Sequence, residues 1–169
     1  MNDNTPFINS KYNYQVNIPK STYLLLHPLS SLKRVRFIDT EGTIYGNQIG
    51  LSADKYDNST FSEYVSSYPN RILADGPCGS IEGKNISKEE DFVINNIDVK
   101  RIYVNQRVER CDAETIEKEI GPIYIYDISN FNNGTNVALI LSQDKNTGEM
   151  TDADLEILEE ISKSIQAIE

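Results

Sequence analysis

Two runs, Ile120-Gly-Pro-Ile-Tyr-Ile-Tyr-Asp-Ile-Ser129 and Thr135-Asn-Val-Ala-Leu-Ile-Leu-Ser-Gln143, flank Phe131-Asn-Asn-Gly134, and their reading decides the fold. Both are rich in residues that suit a pleated strand. Asn133-Gly134 between them is a hairpin signal, because a tight turn needs positive φ and these residues accept it. A helix follows. Thr151 is a good N-cap, Asp154 stands three residues on, and acids occupy the first turn. Leu155, Leu158, Ile161, Ile165 and Ile168 recur at steps of three and four, which makes one buried stripe.

Working toward the N-terminus, Val99 to Val108 alternates, with Ile102, Val104 and Val108 on the face expected to turn inward. With Phe92 to Ile97 it forms a pair around Asn95-Asn96. Glu109 to Glu119 reads as a charged insertion, with a short helix expected from Ala113. Residues 69–88 are rich in Gly, Asn, Ser and Asp and lack periodicity, so a functional or disordered loop is expected. Ser59-Thr60 caps a short helix over Phe61 to Tyr68, and Glu63 completes a capping box. Earlier still, strands are expected over Tyr12 to Ile18, Tyr23 to Leu26, Val35 to Ile38 and Thr43 to Ala53. The turn Asp39-Thr-Glu-Gly42 joins the last two. This order gives an α+β class with an antiparallel sheet covered by helices. Residues 1–10 read as a flexible tether and 11–169 as a single domain.

The 169 residues, 38% hydrophobic and 25% charged, suffice for a core. A formal net charge of −10 argues against nucleic acid and suits a basic partner or a cation. No apolar run approaches the length that spans a bilayer; Tyr23-Leu-Leu-Leu26 is typical. No signal peptide opens the chain, and either a cytosolic protein or a trimmed exported one fits that start.

No catalytic motif emerges. His27, the only histidine, precedes Pro28 and has no Gly-x-Ser-x-Gly elbow to serve. Asp144 to Leu155 imitates a calcium loop, but Glu149 replaces the turn glycine and Leu155 the bidentate Glu. No cofactor or metal is expected, and no enzyme. Cys78 and Cys111 form a bridge if the domain is exported and remain thiols if it is cytosolic. Candidate binding positions are Asp75 and Glu82 in one polar stretch and Arg107, Arg110 and Asp112 in another, since neither stretch is needed for a core. Tyr124 and Tyr126 offer either a buried tyrosine pair or an aromatic binding surface.

The succession Tyr14-Gln-Val-Asn-Ile-Pro19, Val35-Arg-Phe-Ile-Asp39, Ile44 to Ala53, Phe61-Ser-Glu-Tyr-Val65, Ile94-Asn-Asn-Ile-Asp-Val-Lys100, Tyr124-Ile-Tyr126, Val137-Ala-Leu-Ile-Leu141 and Ile161-Ser-Lys-Ser-Ile165 resembles the PsbP-like family. That family includes extrinsic photosystem II proteins, a Ran-binding nuclear-transport factor and bacterial exported proteins or lipoproteins. The resemblance runs from Lys11 to Ile168. It implies an α-β-α sandwich and a binding or assembly role rather than catalysis, and no functional residue carries over. The expected function is a binding domain of a bacterial cell-envelope protein, held there by a segment outside these residues, with a protein partner. The alternative is a cytosolic immunity or inhibitor protein that masks a basic toxin. A third reading rests on the last strand and Thr151-Asp-Ala-Asp-Leu-Glu-Ile-Leu158, which are similar to the close of GAF sensor domains.

Overall fold

The computed structural model describes residues 6–20, 22–26, 33–39, 48–57, 59–77, 79–111, 113–143 and 150–168. In chain order the elements are β1 (Phe7–Asn9), β2 (Tyr14–Val16), β3 (Thr22–Leu26), β4 (Arg34–Asp39), β5 (Gln48–Lys55), α1 (Phe61–Ser66), β6 (Leu73–Gly76), β7 (Gly79–Ile94), β8 (Ile97–Arg110), β9 (Ala113–Asp127), β10 (Val137–Gln143), α2 (Asp152–Ser164) and β11 (Gln166–Ala167). Eight strands form one antiparallel sheet in the order β3-β4-β5-β10-β9-β8-β7-β6, and β1-β2-β11 form a small second sheet.

The middle of the large sheet is buried on both faces. Tyr124, Tyr126, Leu139 and Leu141 turn one way, into a core shared with Leu158, Ile161 and Ile165 of the α2 segment and with Tyr14 and Val16 of β2. Ile123, Ile125, Ala138 and Ile140 turn the other way and pack with Tyr64 and Val65 of α1. Burial on both sides explains why Val137-Ala-Leu-Ile-Leu141 is apolar throughout rather than alternating. Tyr126 is fully buried, its hydroxyl donating to the Ser162 carbonyl at 3.0 Å. The tyrosine pair therefore belongs to the core and offers no aromatic binding surface.

Both helix caps form as read. Thr60 accepts from the Glu63 backbone N–H and Thr151 from that of Asp154, and each carboxylate reaches back to the cap. The Phe131–Gly134 turn is also present, with Asn133 and Gly134 both at positive φ and a 3₁₀ turn over Ser129–Phe131 leading into it.

Three expectations need correction. The chain is mostly β: helices lie on both faces, but among the described residues they amount to six-residue α1, thirteen-residue α2 and short 3₁₀ turns. Residues 69–88 are not an unstructured loop. A 3₁₀ turn, Tyr68–Arg71, leads into β6 and the first half of β7. Among its described residues the insertion Glu109 to Glu119 contains no helix and instead continues β8 and opens β9. All three corrections share one cause. These strands are solvated along most of their length, so they carry polar side chains and ion pairs where a buried strand shows apolar alternation.

The opening ten residues include β1, which pairs with β2 from Phe7↔Val16 to Asn9↔Tyr14. The turn at 40–42 and His27 lie outside the described residues, as do residues 144–149 of the calcium-loop imitation.

Candidate functional site

β7, β8 and β9 hold 16, 14 and 15 residues. At about 3.3 Å per residue each spans roughly 50 Å, two to three times an ordinary strand. A bulge makes that length usable in β9, where Tyr103 of β8 stands opposite two residues, Gly121 and Pro122. Proline, lacking an N–H, is tolerated where pairing is interrupted. Gly121 sits at φ +140°, and an added Cβ would lie 2.8 Å from the Tyr103 ring. Beyond Ile120, which still packs against the core, β9 runs into solvent, and Glu114 to Glu119 are all exposed.

The residues picked out from the sequence converge at that outer end. Glu82 pairs with Leu73 on one side and Arg107 on the other, Asp75 pairs with Ser80, and Gly79 pairs with Arg110. Two stretches some thirty residues apart thus come together at one end of the sheet. Glu82 accepts a 2.6 Å ion pair from Lys84, which holds its carboxyl below the usual range, with Arg107 adding to the effect. Arg107 binds Glu109 at 2.8 Å through Nη2, while its buried Nε has no partner among the described residues. Cys111 is exposed and donates through Sγ to the Pro77 carbonyl at 3.2 Å. Cys78 and Asp112 lie outside the described residues.

One row across this end is apolar. Ala74, Ile81, Val108 and Ile116 stand side by side on β6, β7, β8 and β9. Ile116 is 43% exposed, and Leu73, in the neighbouring row, is 59% exposed. Neighbouring rows point to opposite faces, so Ile116 shares one face with Arg110 and Leu73 shares the other with Asp75, Glu82 and Arg107.

A second feature lies toward the Asn95-Asn96 turn, at the other end of β7 and β8. A cleft of about 400 Å³ is lined by Phe61 and Ser62 at the start of α1 and by Asp91, Phe92, Val93, Asp98, Val99 and Lys100. Lys100 is held by Glu89 at 2.6 Å and Asp91 at 2.7 Å, and both contacts raise its pKa and keep it charged. The Arg101 guanidinium lies 4.8 Å from the Phe92 ring and binds Glu90. The sequence reading missed this cleft. Its one signal is Phe92-Val93, two adjacent apolar residues that point to opposite faces right after Glu89-Glu90-Asp91.

Beneath the rest of α1 the polar groups serve the architecture. Asp54 accepts from the Tyr64 hydroxyl at 3.0 Å and from Arg71 at 2.8 Å, and Arg71 lies over the Tyr64 ring. These contacts tie α1 and the following 3₁₀ turn to β5. Burial, reinforced by Asp54, pushes the Tyr68 hydroxyl up to about 12.

Comparison with solved structures places this architecture. The chain is similar to the solution structure of cyanobacterial PsbP (CyanoP) from Synechocystis sp. PCC 6803, with a TM-score of 0.55 and 11% identity over 96% of this chain and 91% of that one. A crystal structure from Bacteroides thetaiotaomicron VPI-5482 aligns with a TM-score of 0.43 and 14% identity, over 97% of this chain and 48% of that one. No family model and no curated protein matches the sequence. The fold is PsbP-like. Among the described residues no helix is long and apolar enough to cross a membrane.

Proposed function

We propose that this PsbP-like domain is a non-enzymatic binding or assembly module of a bacterial cell-envelope protein, engaging a protein partner through the outer end of the β6–β9 sheet. The observation that carries the reading is the reach of β7, β8 and β9 beyond the core. Strand ends this exposed add little to the core, yet this end collects Asp75, Glu82, Arg107 and Arg110 beside exposed Leu73 and Ile116. On each face an exposed apolar side chain stands beside fixed charge, a mixture that protein interfaces use. In this reading Cys78 and Cys111 are recovered from native cells as an oxidised pair, the Cys111 thiol giving up its bond to the Pro77 carbonyl.

Size-exclusion chromatography of the tagged chain from its native cells tests the proposal. Wild type is expected in the envelope fraction, eluting well above its 19.1 kDa, with Arg110→Glu or Glu82→Lys returning it to the monomer position. Monomeric elution of wild type, or elution unchanged by both variants, contradicts it. A second reading, a cytosolic inhibitor of a basic toxin, is favoured by the formal net charge of −10. Recovery of the complex in the cytosol, with Cys78 and Cys111 both open to alkylation, would select it.

A further inference from the structure

The outer edge of β7 changes character along its length. β6 covers it from Gly79 to Glu82, and the Gly83 N–H is taken by the Ile72 carbonyl at 2.8 Å. From Lys84 to Ile94 the edge has no strand partner among the described residues. An open edge invites another chain to pair with it, and proteins commonly blunt such edges with charge. Lys88, Glu89, Glu90 and Asp91 do this here, and then the protection stops. Phe92 and Val93 follow, 38% and 69% exposed, at the place where the cleft opens between the edge and Phe61 and Ser62 of α1.

The charges around the cleft select what can enter. Lys100 is shared by Glu89 and Asp91, which leaves that group net negative, and Glu90 is bound by Arg101 and Lys88. Asp98, cross-strand neighbour of Val93, is exposed and makes no ion pair among the described residues. The cleft thus offers apolar walls, an unpaired backbone edge and net negative charge from Asp98 and from the Glu89–Lys100–Asp91 group. An acidic segment is repelled by the carboxylates, and a proline-rich one lacks the N–H groups that the edge requires.

We propose that this cleft takes an extended, basic segment of a partner polypeptide, added as a strand to the free edge of β7. Backbone pairing along Asp91–Ile94 supplies the general affinity. One aliphatic side chain of the segment fills the space between Phe61 and Val93, and a Lys or Arg two residues away reaches Asp98. The inference rests on the reading of the domain as a binding module and adds the chemistry of what it binds.

Selection of random nine-residue displayed peptides on the full chain tests it, followed by fluorescence anisotropy with a selected peptide. Selected sequences are expected to alternate Lys or Arg with Val, Ile or Leu and to lack Pro, Asp and Glu. Asp98→Lys should weaken binding at least tenfold, and N-methylation of alternate peptide amides should abolish it. Val93→Glu provides a second variant at an exposed position, and circular dichroism checks that both variants fold. No enrichment above background overturns the proposal, as does binding unchanged by Asp98→Lys and by N-methylation. If these fail while the native complex in chromatography stays sensitive to Arg110→Glu, the cleft alone is wrong. Failure of both removes the binding-module reading.

Discussion

Asn95 and Asn96 share one backbone conformation, with φ of 51° and 62°, but only Asn95 has long-range work. Its side-chain amide donates to the carbonyls of Lys163 and Ile165 at 3.1 and 2.7 Å, so the β7–β8 turn caps the C-terminal end of α2. Asn95→Gly keeps the turn and loses both bonds, which should cost about 1–2 kcal/mol in urea unfolding. Asn96→Gly keeps the positive φ without strain and should change stability by less than about 1 kcal/mol. Equal losses at the two positions would contradict the cap. The turn itself was legible, since Asn-Asn between strand-like runs is a local signal. The cap was not, because a contact 70 residues away leaves no mark in local sequence.

Among the elements, α1 is the clearest case of a local signature realised in full. Six residues cannot hold a helix alone, and the capping box together with burial of Tyr64 and Val65 makes up the deficit. The Glu63 carboxylate accepts the Thr60 backbone N–H at 2.7 Å, which holds its pKa below the ordinary carboxylate value. A depressed folded pKa means that this charge stabilises the helix above the ordinary carboxylate range and stops doing so as pH falls through the folded value. Glu63→Gln keeps the geometry without the charge. The stability difference between wild type and Glu63→Gln should therefore be largest near neutrality and close on acidification. A difference that is flat with pH would show that the charge contributes nothing. In β6, the first half of β7 and the opening of β9, propensity reasoning failed for a physical reason. Their pairing is held by the backbone ladder and by contacts such as Lys84–Glu82 and Ser87–Glu119, and polar residues on both faces erase the period that marks a strand.

For the molecule as a whole, the eight-stranded sheet divides into a part packed in the core and a part exposed beyond it. The first is buried between α2 with the small sheet on one face and α1 on the other, and its apolar runs made it readable from sequence. The second is the outer ribbon, where Asp75, Glu82, Arg107 and Arg110 were singled out only because a core had no use for them. That reasoning assigned them to loops, whereas they lie on paired strands, since partners thirty residues apart are brought together by register alone. In-cell photocrosslinking from a reactive residue placed at Ile116, with exposed Ala153 on α2 as control, tests the ribbon as a binding surface most directly. The account predicts one discrete adduct from position 116, absent from position 153 and lost on Arg110→Glu. Equal labelling from both positions, or an adduct indifferent to Arg110→Glu, would contradict it.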